Sequence, residues 1–392
     1  MVGFSRRFDI QCRVGDSRPR RPSPAGTGLE HRKLNDNASE PKESEPDVIT
    51  KTIGPLICIG VLLLAAGCGI RSPHGRMRAP EAPAVTPGHF RVYDGVGAPA
   101  TLEDIVSAAA AADVVFIGEE HDDPAAHFLE SNLLERLFEA CRSGGPSGRE
   151  RPVLLSLEMF EADVQTVVDE YLADLITERH FLKAARPWPG YPTDYRPLIE
   201  FARSNGIPVV AANAPSRYVN RVARLGRSAL DPLFPASRAW LPPLPYGEAS
   251  AAYREKFRNF WEETQVGNVP HGPAIPAPPM DAPSEAAASA EIEERFERLL
   301  AAQSLWDAGM AFHLSEALAR HPGALALHVN GKFHSQSGLG IPEHLREYRK
   351  DVSIVTVTVL SLSSFPAFDP AAAGGDTFII VTDPSLKPGR RG

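Results

Sequence analysis

Polar residues that could do chemistry follow four short apolar runs. VVFI (114–117) leads into Gly118-Glu119-Glu120-His121-Asp122, and VLLSL (153–157) leads into Glu158. PVVAA (208–212) ends at Asn213, and ALALHV (324–329) leads into Asn330-Gly331-Lys332-Phe333-His334. Continuous apolar runs of this length suit parallel strands buried on both faces. Parallel α/β sheets collect ligands at the carboxyl ends of their strands. A metal set of His121, Glu158 and His334 could therefore hold zinc, iron or manganese. The same groups, with Glu119 or Glu158 as base, could run a metal-dependent hydrolysis of esters or peptides. Glu120 and Asn213 belong to the same polar cluster. Asp122 reads as the cap of the next helix, where a carboxylate is favoured. CxxC, CxxCH, P-loop and GxSxG patterns are absent, which disfavours thioredoxin-like, c-type haem, NTPase and serine-hydrolase chemistry.

The elements that must position these groups follow from the pattern. Two further strand-length runs, SIVTVTVL (353–360) and TFIIV (377–381), close the series. Amphipathic helical patterns alternate with the strands at 125–140, 162–176, 194–204 and 216–225. That alternation predicts an α/β fold, a mainly parallel β-sheet flanked by helices, over 91–225 and 324–385. Residues 226–323 hold no comparable strand. They carry helical patterns near 248–263 and 291–320, joined by a Pro/Ala-rich connector, and read as an inserted α-helical cap over the strand ends. Tyrosine and histidine in this insert, Tyr246, Tyr253, His271 and His313, are of the types that bind haem iron. Trp188, Tyr191 and Tyr195 form a second aromatic set before the third strand. His127, His180, His321 and His344 fall on surface-like helical or turn positions.

The amino-terminal region differs from this body. Residues 1–47 are charged, Pro-rich and without apolar periodicity, which predicts disorder. Residues 48–67 have an apolar core of signal-peptide length ending in Leu64-Ala65-Ala66-Gly67-Cys68, which looks like a bacterial lipobox. Lipidation of Cys68 would hang the body from a membrane in the cell envelope, facing outside the cytoplasm. Residues 68–90 would be its tether. A signal peptide behind a charged leader is anomalous, and translation from Val48 removes the anomaly. Of the four cysteines, Cys12 and Cys58 would be discarded and Cys68 lipidated, leaving Cys141 as an inert thiol.

Composition bounds the function classes. The 392 residues carry 41 Lys+Arg against 49 Asp+Glu, a formal net charge of −8, with 43% hydrophobic residues. That is a globular composition, neither disordered nor polytopic. The acidic balance argues against a nucleic-acid partner, which needs a basic face.

Five segments occur in order with family-like spacing: FIGEEHDDPAAHFLE, LSLEMFEADVQ, YRPLIEFARSNGIPVVAANAP, AQSLWDAGMA and HVNGKFHSQSGLGIPEHLR. Together they resemble the ChaN-like family of haem-binding, iron-regulated lipoproteins. That family shares a superfamily with Tiki-type metalloproteases, TraB-like proteins and erythromycin esterases. The resemblance implies an α/β core with a helical cap. It also implies haem binding, often at a homodimer interface, with a tyrosine ligand and a histidine from the cap side, and a role in haem and iron uptake. The superfamily's enzymes resemble this chain at Gly118 to His121 and at the later glutamate and histidine, which implies catalytic roles for Glu119, His121, Glu158 and His334. Gln303, Asp307 and Met310 lie inside the fourth segment, and Gln303 and Asp307 are four apart on one helix face. The last segment departs from the usual Gly-x-Gly-His-like turn by placing Lys332 beside His334. The expected cofactor is haem, with a divalent metal under the hydrolase alternative.

Overall fold

The computed structural model describes residues 83–144, 148–266 and 285–386, all within the compact unit Pro73–Gly392. Cys68, the leader, most of the tether and His271 lie outside the described residues. A single eight-stranded sheet organises them. Its strands are β1 (Phe90–Asp94), β2 (Pro99–Ala100), β3 (Val114–Glu119), β4 (Val153–Glu161), β5 (Val209–Asn213), β6 (Leu325–Gly331), β7 (Ile354–Ser361) and β8 (Phe378–Thr382). The spatial order is β2-β1-β8-β7-β3-β6-β4-β5. From β8 to β5 the pairing is parallel, and β1 and β2 add antiparallel strands at the far edge. The expected α/β architecture is the one found.

The apolar runs form central strands because each face meets a helical layer. In β3, Val115 and Ile117 join a core with α1 (Leu102–Ala109), α2 (Pro124–Arg142) and α5 (Arg196–Asn205). Val114 and Phe116 point the other way, into a core with α9 (Glu285–Arg320) and α10 (Ile341–Tyr348). This two-residue alternation with both faces covered explains why the runs are continuously apolar. On the β5 edge the Gln165 side chain donates to Val209 O and accepts from Ala211 N, both at 2.8 Å. One amide thus occupies backbone groups that a further strand would use.

Helix starts are fixed by caps. Thr101 and Asp104 form a reciprocal box at the head of α1. At α2 the cap is Asp123, whose carboxylate accepts from Ala125 N at 2.8 Å, followed by Pro124 at the first helical position. The cap expected at Asp122 lies one residue later, because Pro124 sets where the helix begins; Asp122 is exposed.

Between β5 and β6 lie α6 (Ser216–Leu225), α7 (Pro235–Arg238), α8 (Ala251–Val266) and α9. The remaining helices, α3 (Gln165–Leu172) and α4 (Glu178–Ala185), follow β4. Helix α9 has 36 residues, so it runs for roughly 54 Å at 1.5 Å per residue. Near its start Phe296 and Leu300 pack on Tyr253 and Phe257 of α8. Near its end Met310, Leu314 and Leu318 cover the sheet. The cap expected to end at 323 therefore shares its last helix with the sheet's own cover. No helix among the described residues is long and apolar enough to cross a membrane.

Candidate functional site

The carboxyl ends of β3, β4 and β6 converge around Gly331. In β4 the register against β5 shifts between Leu157 and Glu161, a bulge of the kind that re-aims side chains. Glu158 lies in that stretch and its Oε2 accepts from Gly331 N at 2.6 Å. A Cβ on Gly331 would sit 2.7 Å from His121 Cε1 and 2.8 Å from its Nε2. The imidazole of His121 therefore lies directly over the glycine. Trp188 meets the same ring edge-on, with centroids 4.9 Å apart. The His121 side chain keeps 48% of its surface exposed, whereas the Glu119 carboxylate beneath it is sealed from solvent.

The second part of the site is built on α9. His334 Nδ1 lies 2.5 Å from Asp307 Oδ1, and its Nε2 lies 3.5 Å from Glu158 Oε1. The Gln303 amide reaches the same ring at 3.3 Å. Burial disfavours a charged His334, but Glu158 and Asp307 prevail and push its pKa up to about 9. Tyr253 is buried beside Asp307, and burial together with that charge holds its phenol well above the usual range. Gly340 closes this corner at φ +69, and a Cβ there would strike His334 O at 2.5 Å. Lys256 of α8 donates to Phe333 O and Gln336 O at 2.9 and 3.2 Å, tying the loop to the cap. Burial pushes the Lys256 ammonium down to about 8.

The third part lies under His121. Glu119 Oε1 accepts from the Tyr195 hydroxyl at 2.6 Å and lies 2.7 Å from His121 Nδ1. Its Oε2 lies 2.9 Å from His127 Nδ1, and Glu130 Oε2 lies 3.5 Å from that same nitrogen. Burial opposes the charge on Glu119, yet His121 and His127 hold its carboxyl well below the usual range. Burial and the Glu119 charge drive Glu130 well above it. Burial would lower His127, but Glu130 and Glu119 raise it well above its ordinary value.

Residues 105–345 match the family described as haem-binding uptake, Tiki superfamily, ChaN. The chain belongs to the ChaN family. Among solved structures it is similar to ChaN of Campylobacter jejuni, described for cofacial heme binding, at 15% identity and a TM-score of 0.51. That match covers 77% of this chain and all of the other. At that identity the likeness speaks for the fold. Among curated proteins it is 25% identical over 169 residues to the chloroplastic protein RETICULATA-RELATED 5 of Arabidopsis thaliana. The match covers 42% of this chain and 22% of that protein, so the chain spans about a fifth of the relative's length.

Within this ChaN-family site the structure brings together Glu119, His121, Glu158, His334, Gln303, Asp307 and Tyr253. Glu120 lies at its rim, accepting from Lys332 Nζ at 2.5 Å. Lys332, at which the last segment departs from the family turn, thus turns its ammonium to a carboxylate. Other expected residues stand elsewhere. Tyr246 uses its hydroxyl on Ala301 O at 2.8 Å, and the Arg227 guanidinium covers its ring at 3.8 Å. Burial pushes that phenol up to about 12. It is a packing residue of the α6–α9 layer, not a free ligand. His313 faces Trp240 O at 3.4 Å and lines a separate cavity of about 420 Å³ beside β5, with burial lowering it to about 4. Asn213 ends β5 with its Oδ1 buried and unbonded. Met310 is core.

In the expected metal set His121, Glu158 and His334, the second oxygen of Glu158 and Nε2 of His334 lie 3.5 Å apart, with Glu158 Oε2 on Gly331 N and His334 Nδ1 on Asp307. The three do not bring one donor atom each within 4.8 Å of the other two. Among the described residues the convergent group is Glu119, His127 and Glu130. Sequence reading missed the last two by placing His127 on a helix surface; it is 7% exposed. The available signal was their spacing of three, on one face of the helix that follows the GEEH turn.

Proposed function

We propose that this protein binds haem at the strand-end face through His121 and serves haem and iron uptake. Family membership supports the ligand class. The observation that carries the residue assignment is the setting of His121. It combines a half-exposed imidazole with an Nδ1 held by the buried Glu119 carboxylate, which leaves Nε2 as the donor. A carboxylate behind the ring fixes its tautomer and raises its basicity, as behind other metal-bound imidazoles. Haem iron accepts such an imidazole. Trp188 adds an aromatic edge for a flat macrocycle. Tyr246 does not fit an iron-ligand role, since its hydroxyl is spent on Ala301.

The cofacial haem arrangement described for the Campylobacter protein extends this reading to a face-to-face pair of haems between two copies of the chain. Lipidation at Cys68 would hold the assembly at an envelope membrane. The test is a hemin titration of the full chain, followed by Soret absorbance and sedimentation. His121→Ala is expected to shift the spectrum and weaken binding about tenfold or more, within the range for lost metal-site groups. An unchanged spectrum and affinity would overturn the assignment. Labelled palmitate should enter the wild-type chain in a bacterial host but not Cys68→Ser, and label persisting in the variant would overturn the anchor.

A further inference from the structure

Beneath His121, three ionisable side chains meet in a place that the haem reading does not use. Glu119 leaves β3, and His127 and Glu130 leave the first two turns of α2. Their relative exposures are 1%, 7% and 0%. One donor atom from each lies within 4.8 Å of the other two. The closest separations, 2.9 Å from His127 Nδ1 to Glu119 Oε2 and 3.5 Å to Glu130 Oε2, bracket the roughly 3.4 Å edge of a tetrahedral zinc site with bonds near 2.1 Å.

Close approach is not the same as bonding here. Glu119 Oε2, His127 Nδ1 and both oxygens of Glu130 are buried without a hydrogen bond of sound geometry. Buried polar atoms are rarely left so. One such atom from each of the three residues within 4.8 Å of the other two is an arrangement that a cation can bridge. The surrounding groups are meanwhile satisfied. Glu119 Oε1 is occupied by Tyr195 and His121, which fixes the carboxylate so that Oε2 turns inward. His127 Nε2 lies 3.3 Å from His121 O. With an ion bound in place of the Nδ1 proton, donation of the Nε2 proton to that carbonyl would direct the Nδ1 lone pair at the ion. Metal-bound histidines are held in this way by a carbonyl behind the ring. The Tyr195 ring packs edge-on against His127 at 5.1 Å and fixes its plane.

We infer that Glu119, His127 and Glu130 form a buried site for one divalent first-row cation, with zinc the ion best matched to two carboxylates and an imidazole. The ion would take the place of the protons on His127 and Glu130 that otherwise balance the Glu119 charge in a sealed cavity. It would also brace the turn from which His121 projects. The site is distinct from the expected set of His121, Glu158 and His334, and it stands or falls independently of haem.

The experiment uses the full chain, haem-free and without a histidine tag. Zinc is added, excess is removed by gel filtration, and metal content is measured with the zinc X-ray absorption spectrum. The expected result is one zinc per chain with a single imidazole among oxygen ligands. Glu130→Gln is expected to weaken binding about 100-fold or more, since losing a ligand costs at least as much as losing a group that orients one. His334→Gln, which keeps a hydrogen-bond donor toward Asp307, is expected to leave zinc binding unchanged. Failure of the wild-type chain to retain zinc, two imidazoles in its spectrum, or loss of binding in a His334→Gln chain that circular dichroism shows folded would each overturn the assignment. The wild-type spectrum keeps the test decisive if Glu130→Gln does not fold.

Discussion

Asp307 of α9 lies 2.5 Å from His334, in the loop after β6, and so joins the long helix to a strand end. Both side chains are buried, and the pair is reinforced by Glu158 on the other side of the ring. Removing one member of a buried pair leaves the other charge uncompensated. Asp307→Asn is therefore expected to cost about 3 kcal/mol of folding stability. Urea unfolding at neutral pH measures it, and a loss below about 1 kcal/mol would show that the pair is no more than a surface-grade contact.

Gly331→Ala isolates the packing of His121. The backbone of Gly331 (φ −58, ψ 133) is open to any residue, so the substitution carries no conformational strain. The added Cβ would overlap the His121 ring. That ring is half exposed and can swing away, so the fold should survive while haem affinity falls about tenfold, one step of 1.4 kcal/mol. Circular dichroism with hemin titration checks both halves. Full affinity in the variant would place haem away from this ring.

Tyr246→Phe separates a structural tyrosine from a ligand. Its hydroxyl donates to Ala301 O, and its loss strands a helix carbonyl. The expected outcome is about 1 kcal/mol of destabilisation with the haem spectrum unchanged. A changed spectrum would return Tyr246 to the haem site.

Acid should destabilise the protein through buried neutral histidines. Burial holds His328 at about 3 and His313 at about 4. Both folded values lie below the unfolded value near 6.5, so the unfolded chain takes up the extra proton. Their contribution is present above about pH 6.5. It is lost as pH falls toward their folded values, at about 1.4 kcal/mol per unit for each. His328 spends Nδ1 on Ser156 Oγ at 2.8 Å. In His328→Leu, stability plotted against pH between 6.5 and 4.5 should lose about one proton's worth of slope. Equal slopes in variant and wild type would show that His328 titrates normally.

The strands were readable because central parallel strands demand unbroken apolar runs, and their ends located Glu119, His121, Glu158 and His334. Gln303 and Asp307 were readable because they lie inside the fourth family-like segment, four apart on one helix face. His127 and Glu130 were not, for a physical reason. A polar residue on a helix ordinarily faces water; here the buried Glu119 opposite makes an inward His127 tolerable, and His127 in turn offsets the inward Glu130. Tyr246 shows another limit. A tyrosine hydroxyl that ligates and one that caps a helix carbonyl have the same residue type and the same apolar neighbours. The cap of α2 was missed by one residue because Asp122 and Asp123 are equivalent until Pro124 decides between them.

The uninterrupted course of α9 has a mechanical consequence. One rigid rod carries the cap's aromatic packing at Phe296, the polar pair Gln303 and Asp307 at mid-length, and the sheet's cover at Leu314. The rod has no joint at which these three could move separately. A force applied to the cap would therefore reach His334 as a displacement of Asp307, and the strand-end surface and the roof above it would respond as a single lever.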